Sequence, residues 1–282
     1  MNSSSVIREL AKFYHSKKAL AIPVTFLILF VSLLGVISVT YYYAIQTVEA
    51  SSQSLKVSMA NQNMESLDDA LLSVMWQPGS SQTLQFQDCG GTLRIQPSAN
   101  QLLINITDGI NITSTVFNAT IGQAIYELPY SQSPETGLFL KGDSQVIVDQ
   151  NDSTTTQLSI ENGPQHPEIL LCYRPVTSST VYENDDNTTV NEIRLYMVNL
   201  NSSQDIELMG NVPLEISCTT VQETLANYNV SYLPSSLTIT ANMNGTHGQV
   251  TVPIFPISNT VNGAVIDVEL IVCDVTIERL VM

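Results

Sequence analysis

The sequence predicts a long N-terminal α-helix, its first half membrane-spanning and its second half amphipathic, followed by an all-β, sandwich-like, mostly antiparallel domain. Three observations carry this expectation. An uncharged apolar run extends from Ala19 to Val39. A glycine- and proline-free stretch, Gln46 to Trp76, follows with apolar residues at helical spacing. From Gln82 onward the pattern changes to short alternating runs separated by turn residues.

Residues 1–18 are polar and basic, and they read as a cytoplasmic leader. Residues 19–45 form the expected transmembrane helix, because about 20 apolar residues at about 1.5 Å each cross a hydrocarbon core of about 30 Å. Arg8, Lys12, Lys17 and Lys18 precede the span and Tyr41, Tyr42 and Tyr43 close it. Positive flanks stay on the cytoplasmic side and tyrosines suit the opposite interface, so everything beyond Tyr43 is expected outside. That outer part holds six basic and twenty-five acidic residues, a net charge of −19. So acidic a surface argues against nucleic acid as a partner and leaves the lipid bilayer as the partner the sequence names.

Residues 46–76 are expected to continue the helix outside the membrane. Val48, Leu55, Met59, Met64, Leu67, Leu71, Val74 and Met75 make one apolar stripe, and Gln77-Pro78-Gly79 stops it. A stripe of this kind needs a partner surface, either the chain's own sheet or a stalk coiled coil.

Residues 82–282 are the expected β domain. Alternating runs occur at 83–88, 92–96, 101–107, 145–149, 192–199, 207–217, 236–241, 249–253 and 264–277. Gly90-Gly91, Asp108-Gly109, Asn162-Gly163 and Asn244-Gly245 separate them, the last reading as a hairpin turn. About two hundred residues suffice for one large core or two packed sub-domains. Thr177–Asn191, rich in Ser, Thr, Asn and Asp, is the expected long loop or joint between two such sub-domains.

Cys89, Cys172, Cys218 and Cys273 all fall on the expected outer side, where an even count predicts two disulfides. Sequential pairing, Cys89–Cys172 and Cys218–Cys273, closes the shorter loops and is preferred by a fraction of a kcal/mol. Asn-x-Ser/Thr sequons at Asn105, Asn111, Asn118, Asn151, Asn187, Asn201, Asn229 and Asn244 describe a glycoprotein surface.

No reaction signature is present. His15, His166 and His247 lack the partners a site needs, and Asp185-Asp186 lacks the ligand ladder of a calcium loop. Glu135, Asp143 and Asp149 are too scattered to form a catalytic pair. No metal, cofactor or enzymatic activity is therefore expected, and the function class is structural or interaction-based.

One stretch is more specific. Lys17-Lys18-Ala19-Leu20-Ala21-Ile22-Pro23-Val24 resembles the class III signal of archaeal type IV pilin-like proteins. In that family a basic pair and a small residue precede a cut, and the hydrophobic segment remains as the core helix of a filament. The resemblance implies processing between Ala19 and Leu20, and assembly with copies of itself or other pilin-like subunits through the N-terminal helix. Val24 stands at the fifth mature position, where bacterial pilins carry glutamate. Pro23 is consistent with the cut, since in a chain starting at Leu20 it lies in the first turn, where backbone N–H groups have no helical partner. The alternative is an uncleaved single-pass anchor carrying an adhesin or ligand-binding glycoprotein domain.

Overall fold

The computed structural model describes residues 3–129, 135–150, 154–200, 205–258 and 263–280, with side chains from Pro23 onward. It has the expected class: one long apolar N-terminal helix followed by an all-β domain. The chain divides into two compact units, Met1–Ser54 and Leu55–Met282.

The first unit is helical. Helix α1 is assigned from Ser3 to Val74 and continues through Pro23. Every residue from Pro23 to Ser52 is exposed, and the segment beginning at Pro23 is long and apolar enough to cross a membrane. Its polar side chains are satisfied internally: the hydroxyls of Ser32, Ser38 and Thr40 donate to the carbonyls of Leu29, Leu34 and Val36, each at 2.8 Å. Such back-bonding is what a hydroxyl in an apolar surround requires.

The second unit begins with the last turns of α1. Strands follow in the order β1 (Ser81–Phe86), β2 (Thr92–Thr107), β3 (Thr113–Glu127), β4 (Leu138–Lys141), β5 (Val148–Asp149), β6 (Thr156–Asn162) and β7 (Pro167–Tyr173). They continue with β8 (Val176–Glu183), β9 (Thr189–Asn199), β10 (Ile206–Met209), β11 (Val212–Val230), β12 (Ser236–Met243), β13 (Thr246–Pro253) and β14 (Ala264–Arg279). One sheet has the order β1-β11-β14-β9-β8-β5, and the other β13-β12-β2-β3-β7-β6-β4 with β10 added to β2. Pairing is antiparallel except for β14–β9 and β5–β8.

Two apolar cores result. In the first, Ala60, Met64, Leu67, Leu71 and Val74 of the helix pack on Leu93, Ile95, Tyr126, Leu171 and Tyr173 of one sheet and on Leu214, Ile216, Cys273 and Val275 of the other. In the second, Leu102, Ile104, Leu237 and Ile239 meet Ile193, Leu195, Ile266 and Val268 with no helix between them. The long strands serve both. Met197 and Val198 are consecutive yet belong to different cores, as do Val272 and Cys273. The β9–β14 ladder carries no register shift, so these strands turn opposite faces to the two cores.

Three expectations need correction. The expected apolar stripe is buried from Met64 to Met75 but not in its first half. Val48, Leu55 and Met59 are exposed, at 68%, 65% and 36%, while the buried face runs through Ala60, Met64, Leu67, Leu71 and Val74 at alternating four- and three-residue steps. Thr177–Asn191 is neither a long loop nor a joint. It is the hairpin of β8 and β9, paired from Val176↔Tyr196 to Glu183↔Thr189, closed by a turn in which Asn187 has φ 57°. Its Ser and Thr residues are those of a strand with an exposed face rather than of irregular chain. Residues 55–282 form one unit rather than two sub-domains. The expected hairpin at Asn244-Gly245 is present, both residues having the positive φ (50° and 89°) that a two-residue turn of this twist needs.

Candidate functional site

A fully buried carboxylate that bonds to three strands of the β unit lies on the helix. Asp68 is one residue past Leu67 and has no exposed surface. Its carboxylate accepts from Lys141 Nζ at 2.5 Å, Tyr173 OH at 2.7 Å and Thr156 Oγ1 at 2.9 Å. These partners stand on β4, β7 and β6, so one helical carboxylate gathers three strands of one sheet. Burial pulls the Lys141 pKa down, but the hydrogen bond and charge of Asp68 outweigh it and hold the ammonium above its ordinary value. Burial first, and then the Asp68 charge, push the Tyr173 phenol well above its ordinary value, so it stays a donor.

A second buried ion adjoins the first. Arg174 is fully buried and donates to Asp143 Oδ1 at 2.5 Å, to Gln145 O at 2.9 Å and to Thr154 O at 2.9 Å. Together these bonds fasten the 141–147 segment to the sheet. A buried cation tied to a carboxylate and two carbonyls is compensated in the way a low-dielectric interior demands. Four of the six basic residues of this acidic region, Arg94, Lys141, Arg174 and Arg194, are in ion pairs. Nothing in the sequence set Asp68 apart from Asp69 beside it, and its strand partners carried no signal either.

On the opposite face of the same sheet is a shallow cleft of about 220 Å³ lined by Phe139, Ser159, Glu161, Leu170, Cys172 and Met243 among others. Ser159 Oγ donates to Glu161 Oε1 at 2.9 Å, and burial pushes the Cys172 thiol up to about 12, leaving it un-ionised near neutrality. Beside it Glu127, Glu168 and Glu161 stand in register on three adjacent strands. Burial first, and then the Glu127 charge, raise the Glu168 pKa, while Arg94 pairs with Glu127.

All four cysteines are buried free thiols, so the expected pair of disulfides is absent from the structure. Cys89–Cys172 is excluded by the pleat. Ile169, Leu171 and Tyr173 of β7 face the first core together with Cys89, whereas Cys172, of the other parity, faces the cleft. Cys218 and Cys273 both lie in the first core, with Sγ atoms 3.5 Å apart.

Of the sequon asparagines, Asn111, Asn118, Asn187, Asn229 and Asn244 are exposed and Asn105 is half-buried. Asn151 and Asn201 lie outside the described residues. Asn244 Nδ2, the atom a glycan would occupy, donates to Asn100 Oδ1 at 2.5 Å. Ala19 and Leu20 fall within α1. His247 is exposed in the β12–β13 hairpin and His166 is half-buried in the β6–β7 turn. Asp185 and Asp186 are exposed in the β8–β9 turn, and Asp143 is committed to Arg174. Among the described residues, no three His, Cys, Asp or Glu side chains converge to hold a metal ion. Comparisons with known protein families, with curated proteins and with solved structures find no match for this chain.

Proposed function

We propose that this chain is a non-enzymatic cell-surface subunit of pilin-like type, anchored or assembled through its N-terminal helix with the β unit outside. One observation carries the reading. A single helix supplies both a wholly exposed apolar segment from Pro23 and, from Ala60 to Val74, the core of a β head. The first needs lipid or neighbouring helices, and the second is already satisfied. The Lys17-Lys18-Ala19 junction adds the resemblance to an archaeal class III signal. N-terminal sequencing of native protein tests it. The mature chain is expected to begin at Leu20, and an intact peptide spanning Phe13 to Thr25 from mature protein refutes the processing.

The second reading, an uncleaved anchored adhesin or ligand-binding glycoprotein, is favoured by the helix running from Ser3 through Pro23 and by the cleft beside Cys172. Both readings put the β unit in an oxidising space, and the cysteines offer a test of that. There Cys218 and Cys273 are expected to close from 3.5 Å to a bond of about 2.05 Å. Their two electrons and two protons pass to a disulfide donor by thiol–disulfide exchange. Cys89 and Cys172 are expected to remain thiols. Non-reducing peptide mapping of native protein should find one disulfide and two alkylatable thiols per chain, and four alkylatable thiols would place the β unit on a reducing side.

A further inference from the structure

We infer that the outer edge of β11 is a homophilic docking strand, on which a second copy of the same strand pairs antiparallel about a two-fold axis at Leu225. Strand β1 covers only Val212 to Ser217 of β11. From Thr220 to Val230 the strand pairs with β14 on one side, and among the described residues no strand takes the other. Eleven residues at about 3.4 Å leave an open row of backbone donors and acceptors on the order of 37 Å long.

The edges of β4, β5 and β13 are blunted, and this one is not. Strand β5 has two residues, β4 has four and carries Lys141, and β13 contains Gly248 and Pro253. Short length, lysine and proline are the usual means by which an edge is kept from pairing. Thr220–Val230 has no lysine and no proline, and its irregularity, at Cys218/Thr220, lies before it begins.

The occupant follows from register and charge. Residues opposed in an antiparallel pair share a face, so a two-fold axis perpendicular to the sheet falls on a residue. Centred on Glu223 the pairing sets two carboxylates against each other, and centred on Thr224 it sets Glu223 against Leu225. Centred on Leu225 it opposes Leu225 to its copy and Glu223 to Asn227. Leu225 is 62% exposed and is the large apolar side chain on that edge with nothing over it. Its ladder neighbour Glu269 is held by Arg194 Nε at 2.7 Å, so the acid beside the contact is already paired. Such an interface is self-complementary and closes at two copies. It stands on the edge alone and holds for an anchored module and a filament subunit alike.

The test is cysteine trapping in the detergent-solubilised full chain, at about 0.5 M salt so that repulsion between acidic heads is screened to a few Å. Across the proposed axis two residues at 225 have Cβ atoms about 4.5–5.5 Å apart, whereas two at 229 lie about 27 Å apart along the strands. Leu225→Cys is expected to give a covalent dimer in more than half of the chains under mild oxidation, Asn229→Cys at least tenfold less, and the unsubstituted chain none. An unchanged melting curve certifies that the Leu225→Cys protein is folded. Equal trapping at both positions, or no dimer from folded Leu225→Cys protein, overturns the inference.

Discussion

Replacing Asp68 with alanine lowers the stability of the β unit by about 3–5 kcal/mol, because it strips the buried Tyr173 and Thr156 donors of their acceptor as well as breaking a half-buried ion pair. The substitution leaves the Lys141 ammonium, the Tyr173 phenol and the Thr156 hydroxyl, now 2.5–2.9 Å from Asp68, without their shared acceptor. Asparagine does little better, because its amide turns a donor toward at least one of three donors. For a unit of this size the loss corresponds to a fall in melting temperature of roughly 6–20 °C. Trp76, the only tryptophan, packs edge-on against Tyr196 with ring centroids 5.6 Å apart, so its fluorescence reports the transition. Asp69 is the internal control. It is next on the helix and 3.8 Å from the same lysine, but 77% of its side chain is exposed. Asp69→Ala is expected within about 0.5 kcal/mol of the parent, as for surface substitutions generally. Equal effects at Asp68 and Asp69 would mean that the clasp does not hold the helix to the strands.

Why the clasp was invisible in the sequence is instructive. Period and punctuation made the helix, its end near Trp76, the Asn244-Gly245 hairpin and the strands β1, β9, β12, β13 and β14 legible. Strands β6 and β7 were missed because both of their faces are largely buried, so Leu158, Ile160, Ile169 and Leu171 stand among other covered residues instead of alternating with exposed ones. Strand β3 was missed because Ile121 serves one core and Ala124 and Tyr126 the other, which breaks the two-residue period at Gly122. The partners of Asp68 sit on two of those unread strands and at the end of the four-residue β4. Lys141, Thr156 and Tyr173 lie 73, 88 and 105 residues from it, and no local pattern encodes such separations. The cysteines teach the same lesson. Loop length favoured two sequential bridges, but side-chain direction on β7 sets Cys172 away from Cys89, and direction outweighs a fraction of a kcal/mol of loop entropy.

The helix itself supplies the other large effect. Leu67 and Leu55 are the same residue type on the same helix and were read from sequence as members of one stripe. In the structure Leu67 has no exposed surface and Leu55 is 65% exposed. Leu67→Ala is expected to cost about 2–5 kcal/mol through lost burial and the cavity left among Met64, Leu71 and the strand residues around them. Leu67→Asp adds an unpaired buried charge to that loss and is expected to prevent the β unit from folding at all. Leu55→Asp is expected to leave the melting temperature of the same full chain within about 2 °C, the range of a surface change in a unit this large. The alanine variant keeps the comparison readable if the aspartate variant yields no folded protein. A head that melts alike in the parent and in Leu67→Ala would mean that the last turns of α1 stand apart from the sheets. The buried stripe would then belong to an intermolecular coil, and the β unit would have to close its first core without the helix.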